Sequence, residues 1–86
     1  MLEVTKAKYL EGYTIWVEFS DGSSGAVDLT DALWGPMFEP LRHMESFRKF
    51  NVSEVLHTLV WENDADLAPE YLHARLRSGG RPAASP

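Results

Sequence analysis

Apolar and polar residues alternate most cleanly between residues 13 and 19. Tyr13, Ile15, Val17 and Phe19 share one parity, and Thr14, Trp16 and Glu18 the other. A period of two in β-branched and aromatic residues predicts a half-buried antiparallel strand. Upstream, residues 2–10 read as a first strand. Leu2 and Val4 fall on one parity and Ala7 and Tyr9 on the other, so a bulge is expected near Thr5–Lys6. Glu11-Gly12 makes the turn between the two strands. After Phe19 comes Ser20-Asp21-Gly22-Ser23, and Asp-Gly between alternating runs predicts a type I′ hairpin turn. A third strand over 24–29 puts Val27 and Leu29 on one face. Three sequential strands make a meander.

The pattern then changes. Thr30-Asp31 is placed to cap a short turn leading to Leu33 and Trp34, and Gly35-Pro36 breaks it. Met37, Phe38 and Leu41 form a short apolar face that Pro40 keeps from becoming a long helix. One more turn over 44–49 points Phe47 inward. Phe50, Val52 and Glu54 suggest a fourth strand, and His57, Leu59 and Trp61 a fifth, with a turn over 53–56. An acidic loop follows over 62–68. Pro69 suits the first turn of a helix, where its missing N–H is not needed, and Glu70 complements the positive end of the dipole. Leu72 and Leu76 lie four apart on the buried stripe, with Tyr71 beside them. Gly79-Gly80 ends the helix. The fold class expected is α+β. A small antiparallel sheet, a three-stranded N-terminal meander plus a second hairpin, packs with short helices that include a C-terminal one. One domain spans 1–78 and a flexible tail 79–86. The odd-numbered side chains from 13 to 19 are expected to close against the terminal helix.

Four features, in order, carry a resemblance. They are Phe19-x-Asp21-Gly22, Val27-Asp28-Leu29, Phe38-x-x-Leu41 followed by Phe47, and the string from Trp61 through Asp66-Leu67-x-Pro69-Glu70-x-Leu72. Together they resemble the bacterial domain-of-unknown-function family 2442 over residues 2–76. The resemblance implies a compact α+β domain and no established activity. Some members look like partners of a second small protein, in arrangements similar to toxin–antitoxin pairs, and others are joined to a helix-turn-helix domain. Only eight residues follow residue 78 here, too few for such a domain. The family pattern has Asp before the proline, where this chain has Ala68. The expected N-cap side chain is therefore missing, and Asp66 or water is left to satisfy the first amides.

Composition narrows the function classes. In 86 residues, 44% are hydrophobic and 24% charged, as in ordinary globular proteins, and there is no cysteine. A disulfide framework and a thiolate zinc site are thereby excluded. A domain this small buries only about 60–65% of its unfolded surface, so a partner or a second copy would add stability. The first residues include Glu3 and lack an apolar core, so no signal peptide is read there and a cytoplasmic location is expected. No apolar stretch suits a membrane span. Charge is uneven. Residues 1–70 hold all thirteen acids against five bases, a net of −8, while 71–86 hold Arg75, Arg77 and Arg81 and no acid. An acidic body repels a phosphate backbone. The arginines read either as cations at a helix C-terminus or as a small nucleic-acid contact.

Catalytic and metal chemistry find little support. Glu62, Asp64, Asp66 and Glu70 lie close in sequence, but a calcium loop starting at Asp64 would have Pro69 and Arg75 at its glycine and glutamate positions. His43, His57 and His73 are not spaced as a helical metal pair; Glu39–His43 and Glu70–His73 read as surface pairs. The serines lack a nucleophile-elbow context, and Gly22 and Gly25 make no phosphate loop. The chain is therefore read as neither an enzyme nor a cofactor protein. Trp16 has two readings: a contact residue on the open sheet face, or core if segment 31–50 folds over it. Trp34, beside Gly35-Pro36, has the same two. The candidate interaction residues are Trp16, Trp34, Arg75 and Arg77. The functional expectation is a protein-interaction module with a protein partner or a second copy, such as the accessory or antitoxin-like half of a two-protein pair. The alternatives are a weak nucleic-acid-associated regulator using the basic end, and a small-molecule binder with a pocket between sheet and helix.

Overall fold

The computed structural model describes residues 1–79, with side chains through Leu76. Strand β1 spans Val4–Glu11, β2 Thr14–Phe19 and β3 Ser24–Asp28, and they form an antiparallel sheet in sequence order. β1 opens at Val4, two residues later than the alternation suggests, with the Val4 N–H donating to the His57 carbonyl (2.9 Å). The bulge sits where the parity changes: Val4 faces Phe19, but Lys6 faces Glu18. Thr5 is the extra residue, so Val4, Ala7 and Tyr9 all reach the inner face. Ile15, Val17, Phe19 and Val27 are buried there. Tyr13 precedes β2 and is half-buried, its hydroxyl donating to the Arg42 carbonyl.

The β2–β3 turn differs from expectation. Gly22 takes a positive φ of 92°, but Asp21 does not, so it is not a type I′ turn. Phe19 N–H donates to the Ser23 carbonyl and Gly22 N–H to the Phe19 carbonyl, closing a three-residue loop. The reason is the Asp21 carboxylate, which accepts from Ser23 N–H (2.9 Å) and Ser23 Oγ–H (2.6 Å) and fixes a local turn.

Residues 30–32 and 39–42 form 3₁₀ turns, and α1 (Met44–Phe47) is a single helical turn. β4 (Phe50–Val52) and β5 (Leu59–Trp61) pair as a second hairpin. These strands are shorter than expected. Ser53 Oγ accepts from Val55 and Leu56 N–H, and His57 adopts a left-handed φ of 58°, so Glu54 and His57 belong to the turn. α2 spans Pro69–Gly79. Ala68 supplies only its carbonyl, to Tyr71 and Leu72 N–H. No side chain caps the helix among the described residues, and Asp66 pairs through its backbone with Val60 instead.

One face of the three-stranded sheet is covered and the other is not. Over β1 and β2 lies Phe47, edge-on to Tyr13 (5.1 Å) and Tyr9 (6.4 Å) and tilted against Trp61 (5.9 Å). The buried Trp61 Nε1–H donates to the Phe47 carbonyl (2.8 Å). Over β3 lies α2, with Leu72 fully buried and Leu76 set against Gly25. No helix among the described residues is long and apolar enough to cross a membrane. Of the expected tail, residues 80–86 lie outside the described residues.

Candidate interaction site

Segment 31–50 packs on the inner face, against Tyr9 and Tyr13, and so leaves the opposite face of the sheet open. Trp16 lies on that open face between its cross-strand partners Lys8 and Ala26, half-buried and with no ring contact among the described residues. The reading of Trp16 as core does not hold, because its strand parity is opposite to that of Ile15 and Val17.

Trp34 is more prominent. Its position follows from how the 29–42 segment is pinned. Leu29, Ala32, Leu33 and Leu41 are buried anchors. The Asp28 carboxylate accepts from Thr30 N–H (2.9 Å) and Oγ–H (2.6 Å), which starts the first turn; Thr30 and Asp31 provide no side-chain cap of their own. Arg42 Nε–H donates to the Leu33 carbonyl (2.6 Å), and Asn63 Nδ2–H donates to the Met37 carbonyl (2.8 Å). Gly35 turns the chain with a φ of 88°, and its carbonyl accepts from Phe38 and Glu39 N–H. With Leu33 buried and the chain reversing at Gly35, the intervening indole points outward and is 68% exposed.

Around Trp34 the surface is concave. Trp34, Pro36, Met37 and Phe38 form one wall of a groove of about 380 Å³, and Leu67 and Tyr71 form the other. Met37 and Tyr71 are themselves exposed, whereas Phe38 is half-buried, its ring edge against Trp61 (6.4 Å). The groove lies between the 32–38 segment and the first turn of α2, not between sheet and helix. Sequence reasoning singled out Trp34 but not Met37, Phe38, Leu67 or Tyr71 as its companions. The available signal was Gly35-Pro36 directly after a tryptophan, which stops the segment from retreating into the core.

Arg75 is engaged with the body of the protein. Its Nη2 meets Asp31 Oδ1 at 2.6 Å, its Nη1–H donates to the Asp28 carbonyl (3.0 Å), and the guanidinium stacks over Tyr71 at 5.1 Å. Burial works against the charge, but Tyr71 and Asp31 more than offset it, so its pKa is raised. Arg77 lies on α2 with its side chain outside the described part. His73 does not pair with Glu70. It meets Asp21 Oδ2 (3.1 Å) and packs edge-on against Phe19 (5.0 Å), tying α2 to the hairpin loop. Neither do Glu39 and His43 form an ion pair; the His43 N–H donates to the Pro40 carbonyl. Among the described residues no three His, Asp or Glu side chains converge in a way that could hold a metal ion.

The family described as protein of unknown function, DUF2442, matches residues 4–78. No curated protein matches the chain. A crystal structure from Nitrosomonas europaea, described as that of a "putative DNA binding protein", superimposes with a TM-score of 0.78 at 20% identity. The match covers 92% of this chain and 51% of that one, so this chain spans about half the length of its structural neighbour. At this identity the likeness is one of fold.

Proposed function

We propose, for a chain that belongs to the DUF2442 family of proteins of unknown function, that it is a small protein-interaction module that docks a partner protein at the Trp34 groove. In this reading it is the accessory, antitoxin-like half of a two-protein pair. One observation supports it above all: a tryptophan indole 68% exposed, fixed by a pinned backbone, in an otherwise apolar groove. Exposing that much apolar surface is unfavourable in water, and rigid aromatic side chains beside a concavity are what binding hot spots are made of.

Co-expression with the neighbouring gene product, followed by native mass spectrometry and titration, tests this. Truncating a hot-spot tryptophan costs about 2 kcal/mol or more, so Trp34→Ala is expected to weaken the complex by roughly 30-fold or more. A complex that Trp34→Ala leaves at the same affinity would overturn the assignment.

The alternative is a weak nucleic-acid-associated regulator using Arg75, Arg77 and Arg81. The description of the Nitrosomonas europaea protein favours it. Against it stand the acidic body and the commitment of Arg75 to Asp31 and the Asp28 carbonyl. Binding by so few cations would be weak and would fall steeply with salt. A titration with duplex DNA and with RNA at about 50 mM salt separates the two readings.

A further inference from the structure

We infer that the segment taken up by the Trp34 groove is cationic and amphipathic: a bulky apolar side chain flanked by Lys or Arg on a partner protein. This inference rests on the groove being a protein-docking site and adds the chemistry of what docks. It comes from the charges that flank the lining residues along the chain. Four lining residues, Ala32, Phe38, Leu67 and Tyr71, have a charged neighbour in the chain, and in every case it is an exposed acid: Asp31, Glu39, Asp66 and Glu70. No lysine adjoins a lining residue. The two nearby arginines are already engaged, Arg42 with the Leu33 carbonyl and Arg75 with Asp31. Counting Asp31 as neutralised by Arg75, three exposed carboxylates remain next to lining residues, Glu39, Asp66 and Glu70, with no ion pair among the described residues. An apolar groove flanked by exposed acids selects a segment of opposite pattern, because like charges at close range repel and unlike charges steer the approach. A second copy offering the same groove would bring acid to acid and is disfavoured on that ground.

Three synthetic helical peptides of identical apolar face, with Lys, Gln or Glu at every polar position, are the probes, read by fluorescence anisotropy on the full chain. At about 50 mM salt the Lys peptide is expected to bind about tenfold tighter than the Gln peptide, and the Glu peptide weaker still. That spread is expected to shrink to less than about threefold at roughly 0.5 M salt, where the screening length falls to a few ångströms. The variant E39Q/D66N/E70Q brings the Lys peptide down to the Gln peptide's affinity. E39Q/D66N, which leaves the first turn of α2 untouched, gives an intermediate value. Trp34→Ala abolishes binding of all three. If the Lys and Gln peptides bind alike to the native chain and Trp34→Ala still abolishes both, the charge inference is wrong and the docking groove stands. If Trp34→Ala binds every peptide as the native chain does, or no peptide binds, both fall. A Trp34-dependent dimer in sedimentation would also overturn the inference, by assigning the groove to a second copy.

Discussion

Three tryptophans show what a single side chain's surroundings decide. Trp61 is 1% exposed, its ring packs against Phe38, Phe47 and Phe50, and its Nε1–H donates to the Phe47 carbonyl. Trp61→Phe would remove that donor, leave a buried carbonyl without it, and open a void where the second ring was. The two costs act together, so a loss of roughly 2–4 kcal/mol is expected in urea unfolding. Trp61→Phe unfolding at the native denaturant midpoint would show that the hydrogen bond and the packing are dispensable. Strand parity made it legible from the chain that Trp61 shares a face with Leu59 and that Trp16 lies opposite Ile15 and Val17, but not whether segment 31–50 covers Trp16. Trp34 was not legible in this way, since a loop has no period; its exposure depends on bonds to Leu33 and Met37 carbonyls from Arg42 and Asn63, nine and twenty-six residues away. Asp21 shows the same limit at a turn. Asp-Gly marks the hairpin correctly, but the loop type depends on where the carboxylate finds its hydrogen bonds.

At the level of elements, α2 is held by two features, one local and one not. Its start and buried stripe follow from Pro69, Leu72 and Leu76, which any helical wheel displays. Its docking onto β3 does not, because the contact joins residues about fifty apart. There Gly25 matters: a Cβ at that position would stand 2.5 Å from Leu76 Cδ1, far inside van der Waals contact. Gly25 also holds a φ of 157° beside the pairing with Val17. Gly25→Ala is therefore expected to destabilise by about 1–3 kcal/mol, since Leu76 must leave its rotamer or the helix must shift. Leu76→Ala alone loses apolar burial. In a double-mutant cycle the pair should cost less than the two changes summed, because the clash disappears with Leu76. Additive costs would place the strain in the Gly25 backbone instead. The helix start makes the opposite prediction. Ala68 offers no side chain to the first amides, so Ala68→Asp should stabilise by roughly 0.5–2 kcal/mol, seen as a higher melting temperature by circular dichroism.

Across the whole molecule, the order of elements and the α+β class were readable because each strand and helix has its own period. Which face of the sheet segment 31–50 covers was not, because that choice is settled by Phe47 finding Tyr9, Tyr13 and Trp61. The same global view governs the response to acid. Thirteen carboxylates stand against eight cationic side chains, yet two of the acids are singled out by structure. Hydrogen bonds from Ser23 Oγ–H and N–H hold the Asp21 carboxyl below its ordinary value of 3.8, and those from Thr30 do the same for Asp28. A carboxylate whose pKa is depressed by folding stabilises the native state above its unfolded value, and that contribution is lost as pH falls through the lower folded value. Stability from these two groups is thus expected to be flat from about pH 7 to 5 and to decline below about pH 4. The variant Asp21→Asn/Asp28→Asn keeps an acceptor oxygen at each turn but cannot titrate. It should be less stable than the native chain near neutrality, and the two urea midpoints should converge as pH falls through the lowered folded values of the two carboxyls. Parallel curves, with the same gap at both ends of the range, would mean that the charge on these two groups does not hold the turns on either side of β3.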